Sequence, residues 1–127
     1  MKAIIVGGGQ VGSYLAGLLL ERGNSVTIIE NSEKRRDSLL KQFDADIVVY
    51  GSGTDCQILE TAGIQEAQVV AAVTGADEVN LVVASLARME YGVDKVIGRV
   101  NNPKNAWLFT PAMGVDVGIN QADLMAR

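Results

Sequence analysis

Lys2-Ala3-Ile4-Ile5-Val6-Gly7-Gly8-Gly9-Gln10-Val11-Gly12 decides the fold, and Val26-Thr27-Ile28-Ile29-Glu30 completes the pattern. The first run is short and mostly apolar, as a buried strand requires. Spaced glycines follow it at once. Gly7 permits the tight turn out of the strand, Gly9 has no side chain to block a pyrophosphate, and Gly12 lets the next helix pack close to the sheet. With Gly8 between them, they lead to Gln10 and Val11, whose backbone N–H groups open that helix and point, with its positive dipole end, at the phosphates. Glu30 stands 23 residues after Gly7, near the ~20 at which a carboxylate accepts from ribose hydroxyls. A carboxylate there also repels a 2′-phosphate, which disfavours NADP. The plainer readings are a tight turn for the glycines and a solvated carboxylate for Glu30. Strand, glycines, helix and acid in register favour the nucleotide.

Around this stretch, apolar strand runs alternate with helical patterns, the mark of a doubly wound parallel sheet. Val11, Leu15, Leu18 and Leu19 form one apolar helix face, and Gly23 ends that helix. A charged helix is expected from about Ser32 to Phe43, then a strand at Ile47-Val48-Val49-Tyr50. Thr54 and Gln57 have capping-box spacing for a third helix, with Asp55 as a first-turn acid and Gly63 closing it. A strand over Val69-Val73 precedes a helix with Val79, Val82, Val83, Leu86 and Met89 inward. Val96-Val100 is the fifth strand, Asn102-Pro103 a helix start, and Val115 to Ile119 the sixth strand. The expected fold is a Rossmann-like α/β sheet of order 3-2-1-4-5-6 with helices on both faces and a ligand crevice between strands one and four.

Bulk properties narrow the function. The 127 residues read as one domain over 1–127, small for a complete two-domain enzyme. A net charge of −4 without a basic stripe, and only 5% aromatic residues, argue against nucleic acid as a partner. The single Cys56 excludes a disulfide framework within the chain and fits a reducing cytoplasm. No run approaches the ~20 apolar residues of a membrane span, and the N-terminus lacks a signal peptide's layout. The chain has no histidine, which removes the commonest general base and metal ligand. Gln121 to Arg127 read as the opening of another helix, which is the basis for expecting a larger protein cut at a domain boundary.

Further candidates lie at the strand ends. Gly51, Ser52, Gly53 and Thr54 follow strand three, where the adenine end of a cofactor lies in this fold; Thr54 is otherwise a helix cap. Thr74 and Gly75 end strand four beside the switch point, bordering the phosphates or second ribose, or serving plain turn chemistry. Lys34, Arg35 and Arg36 read as a solvated helix face rather than a phosphate clamp. Asp77 and Asn80 read as cap and decoration of the next helix.

In this order and spacing, Gly7 to Gly12, Glu30, Gly51-Ser52-Gly53-Thr54, Leu59-Glu60-Thr61-Ala62-Gly63-Ile64, Thr74 to Asn80 and Arg99 resemble the regulatory nucleotide-binding domain of Trk/Ktr-type potassium uptake systems, the RCK, KTN or TrkA-N domain. The resemblance covers nearly the whole chain. It implies a cytoplasmic sensor at the inner face of the cell membrane, forming a homodimer or larger ring under a potassium channel or transporter. NAD(H) is the implied ligand, with ATP, ADP or AMP as alternatives, and binding changes the geometry of the assembly. Arg99 becomes a ligand contact by this resemblance; its plain alternative is an ion pair with an acid such as Asp77. Some relatives carry arginine where Gln10 stands, and its absence favours NAD(H) over a triphosphate. Family members usually carry a second, smaller C-terminal ligand-binding domain, which the resemblance leads one to expect is missing from this stretch of sequence.

A rival reading is the cofactor half of an NAD-dependent dehydrogenase. That reaction needs a proton donor or acceptor near the nicotinamide and a wall for the substrate. The chain offers no histidine, no lysine–tyrosine arrangement and no second domain, so a non-catalytic role is expected.

Overall fold

A computed structural model describes residues 1–120; the helix expected from Gln121 lies outside them. Six strands form one parallel sheet in the order β3-β2-β1-β4-β5-β6. The strands are β1 (Lys2–Val6), β2 (Ser25–Glu30), β3 (Val48–Tyr50), β4 (Val69–Ala72), β5 (Lys95–Val100) and β6 (Val117–Asn120). The helices are α1 (Gln10–Glu21), α2 (Glu33–Leu39), α3 (Cys56–Thr61) and α4 (Asp77–Ser85). The expected strand order is therefore observed, with its reversal between β1 and β4.

Strand alternation sorts the core into two layers. On one face Ile4 and Val6 of β1 pack with Leu59 and Ala62 near α3 and with Val83 and Ala84 of α4. On the other, Ile5 packs with Ala16 of α1, Leu39 of α2, and Ile28, Ala71 and Val73. Both faces of the central strands are covered, which is why these strands read as continuous apolar runs rather than as alternating ones.

Several local expectations are corrected. Helix α2 is shorter than Ser32 to Phe43, because Gln42 N–H donates to the Leu39 carbonyl at 2.9 Å and this tighter turn brings Phe43 onto the second core layer. Thr54 does not cap α3. Asp55 does, accepting the Gln57 N–H at 2.9 Å, while the Thr54 hydroxyl pairs with Ser52 Oγ at 2.7 Å. Asp55 is thus the cap itself rather than a first-turn acid. Val82 and Met89 face outward, 46% and 63% exposed. Val79, Val83 and Leu86 pack on the core as expected, and Asn80, Ala84 and Ala87 share the inward face with them. A π-helical turn at Leu86–Glu90 inserts an extra residue and shifts the phase of the face beyond it. Val115 is buried in the core ahead of β6, which begins two residues later than expected. Asn102 caps as expected, accepting from Lys104 N–H at 3.0 Å, but the segment it opens, Pro103–Leu108, is a 3₁₀ helix.

Candidate functional site

A cleft of about 250 Å³ opens where the carboxyl ends of β1 to β4 converge, the place where open α/β sheets hold ligands. It is lined by Val6 and Gly7, by Ile29, Glu30 and Asn31, by Gly51, Ser52 and Gly53, and by Thr74, Gly75, Ala76 and Val79, with Arg35 reaching in from α2.

The glycine motif forms one wall through close approaches that side chains forbid. Gly7 has φ +110°, and a Cβ on it would stand 3.0 Å from Thr74 N, so β1 and β4 meet here backbone to backbone. A Cβ on Gly12 would collide with the Gly7 carbonyl oxygen, which seats α1 directly against the turn. Gly8 is crowded by the Leu39 side chain. Helix α1 begins after Gly9 with no side-chain cap and no acid in its first turn. Its leading N–H groups, Gln10 and Val11 among them, thus have no acceptor within the helix.

Glu30 is buried at 4% exposure. Its Oε1 accepts the Gly8 N–H at 2.6 Å and its Oε2 the Ser32 N–H at 2.9 Å. Each oxygen retains acceptor capacity, because a carboxylate offers about four lone-pair sites. The carboxylate is therefore aimed before any ligand arrives.

Opposite it, the end of β4 is held by Asn80, which is fully buried. Asn80 Oδ1 accepts from Thr74 N–H at 2.9 Å and Thr74 Oγ1 at 2.7 Å, while its Nδ2 donates to the carbonyls of Thr74 and Arg99. Asp77 is buried too, and accepts from the backbone N–H groups of Asn101 and Asn102 and the amides of Asn101 and Asn105. Burial pushes its carboxyl upward, but the bonds from Asn101, Asn105 and Asn102 outweigh burial and hold it below the usual carboxylate range.

The sequence-derived candidates divide. Gly7, Glu30, Gly51, Ser52, Gly53, Thr74 and Gly75 line the cleft together. Gly8, Gly9, Gln10, Val11 and Gly12 build the wall and the start of α1 behind it, and Thr54 braces Ser52. Arg99 is half-buried on β5 outside the lining; its Nη1 donates to the Val73 carbonyl at 3.4 Å and its Nε is buried with no hydrogen-bond partner. The ion pair with Asp77 does not form, since four amide donors occupy that carboxylate. Lys34 and Arg35 are exposed, as the solvated-face reading expects, but Arg35 also reaches the rim of the cleft, and Arg36 is half-buried 4.7 Å over the Tyr50 ring. The reach of Arg35 was hidden because it depends on how α2 sits against the glycine turn. Among the described residues, no cluster of three or more His, Cys, Asp or Glu is placed to hold a metal, and no helix is long and apolar enough to cross a membrane.

The sequence model of the TrkA-N domain family matches residues 3–121. The chain belongs to the TrkA-N domain family. The TrkA homolog of the Trk potassium uptake system in Methanothermobacter thermautotrophicus is 44% identical over 116 residues, 91% of this chain and 52% of that protein. The Trk system potassium uptake protein TrkA of Mycobacterium tuberculosis is 36% identical over 126 residues, 99% of this chain and 56% of that protein. The chain thus spans about half the length of the curated relatives it matches. Among solved structures, the GsuK RCK domain superposes with a TM-score of 0.83 at 25% identity, over 98% of this chain and 26% of that one. GsuK bound to ADP and the GsuK channel bound to NAD each give 0.82 at 25% identity, over 98% of this chain and 31% and 22% of theirs. The TrkA-N domain accordingly carries the Rossmann-like sheet that the glycine turn foretold.

Proposed function

We propose that this TrkA-N domain is a nucleotide-sensing regulatory module of potassium uptake, which binds NAD(H), or ADP, ATP or AMP, without turning it over. The observation that carries the reading is Glu30, a buried carboxylate fixed by the Gly8 and Ser32 amides at the carboxyl end of β2. Its remaining lone pairs suit the hydroxyls of an adenosine ribose. The structure also fits the phosphates of such a ligand: Gly9 leaves the start of α1 open, and the leading N–H groups of that helix lack acceptors. The relatives named for Trk potassium uptake, and the NAD and ADP bound to GsuK, support the ligand class and the pathway.

Regulation follows from differential binding. A nucleotide shifts an assembly only as far as it binds one arrangement better than the other. On this reading the domain works as a homodimer or ring attached to a membrane potassium channel or transporter, at the cytoplasmic face. A bound nicotinamide group supplies hydride chemistry where an enzyme provides a proton partner. Here the chain has no histidine for that role, which favours sensing over the rival reading as half of a dehydrogenase.

Calorimetric titration with NAD⁺, NADH, ADP, ATP and AMP tests the proposal. Heat with at least one of them, weakened about tenfold or more in Glu30→Ala, is the expected result. Silence toward all five refutes it, and oxidation of NADH by the chain with a small carbonyl substrate would restore the dehydrogenase.

A further inference from the structure

The cleft contains two charged side chains, and they differ in how far they are committed. Both oxygens of Glu30 already accept backbone N–H bonds. Arg35 is an exposed residue at the rim: its backbone N–H donates to Ser32 Oγ at 3.3 Å, and its guanidinium has no hydrogen-bond or ion-pair partner among the described residues, so solvent is all that a ligand anion would displace from it. The first turn of α2 aims that side chain back over the glycine motif. Arg35 Nη1 lies 3.4 Å from where a Cβ on Gly9 would stand. Its neighbours behave otherwise: Arg36 is held by Tyr50 and Asp37, and Lys34 does not line the cleft.

Gly9 is the residue from which α1 starts, and that helix begins with the uncharged Gln10 and no acid in its first turn. Arg35 therefore supplies the nearby positive charge that the first turn of α1 itself lacks. A guanidinium and a helix N-terminus side by side add their positive fields, and an anion between them relieves both. The planar fork of the guanidinium also matches phosphate oxygens in pairs.

We propose that Arg35 is a specificity-determining residue of this cleft, ranking adenosine ligands by the charge on their phosphates. The inference rests on the nucleotide reading above and adds to it a preference for ligands with two linked phosphates over those with one or none.

Chemical-shift titration of the 127-residue chain with adenosine, AMP, ADP and NAD⁺ tests it, comparing wild type with Arg35→Gln and Arg35→Lys. In Arg35→Gln the Kd for ADP and NAD⁺ should rise about tenfold or more, while that for adenosine changes less than about twofold. Arg35→Lys should recover part of the ADP loss, because it keeps the charge and loses the fork. An equal change for adenosine and ADP, or no change for either, overturns the proposal while leaving the nucleotide reading intact. A wild type that binds none of the four overturns the proposal, and the nucleotide reading falls with it when NADH and ATP are silent too.

Discussion

Asp77 Oδ1 accepts the backbone N–H of Asn101 at 2.6 Å, fastening the start of α4 to the segment that leaves β5. Asp77 Oδ2 repeats the link with Asn102 N–H at 2.9 Å and Asn105 Nδ2 at 2.8 Å. One carboxylate thus gathers two stretches of chain at the carboxyl end of the sheet, beside the Thr74 turn that lines the cleft. Removing it leaves several inward-facing donors without an acceptor.

The pH dependence follows from that arrangement. The folded carboxyl lies below its ordinary value of 3.8, so the charged form stabilises the fold. That contribution is complete above pH 3.8 and is lost as the pH falls through the lowered folded value. Asp77→Asn should cost about 1–3 kcal/mol at neutral pH. Its deficit against wild type should shrink below pH 3.8. Urea unfolding of both proteins across the acid range measures the gap.

Asn80→Ala removes a fully buried side chain that bonds Thr74 and Arg99. The loss should be about 2–4 kcal/mol, since polar groups of both partners lose their bonds in a dry interior. Thr74 keeps Asn101 Nδ2 on its carbonyl and Ala76 on its hydroxyl but loses its bonds to Asn80, the one to its N–H among them, so nucleotide affinity should fall with stability. A variant that unfolds like wild type but still binds more weakly would contradict the structural part of this account.

Two glycines of α1 should answer an alanine in opposite ways. At Gly12 a Cβ strikes the Gly7 carbonyl oxygen, so Gly12→Ala should lose about 1–3 kcal/mol and most nucleotide binding. At Gly17 a Cβ meets nothing within 4 Å, so Gly17→Ala should gain about 0.5–1 kcal/mol from helix propensity and leave binding unchanged. Denaturant midpoints for the pair decide it, and matching signs would refute the packing argument.

Strand order and crevice were legible because buried parallel strands are written as uninterrupted apolar runs, and because Gly7, Gly12 and Glu30 are read locally. The face of α4 was misjudged at Val82 and Met89. Val79, Val83 and Leu86 do face inward, but alanines and a buried asparagine complete that stripe in place of Val82 and Met89, and the π turn alters the spacing beyond it. Asp77 was read as helix decoration because its partners lie 24 to 28 residues away, a juxtaposition that exists only once β4 and β5 are paired. Arg35 was hidden for a related reason. Three consecutive cations look alike in sequence, and only the seating of α2 against Gly9 separates them.

The bonds that fix Glu30 also set how the corner can change its preference. Deleting the carboxylate does more than end a repulsion toward a 2′-phosphate. It strips the shared acceptor from the Gly8 and Ser32 amides, and backbone amides left without an acceptor favour an anion. With Arg35 on the rim of the same cleft, the corner reverses from acceptor to donor through the loss of one side chain. On the nucleotide reading proposed above, Glu30 is therefore the residue whose loss would turn this corner from repelling a 2′-phosphate to attracting one.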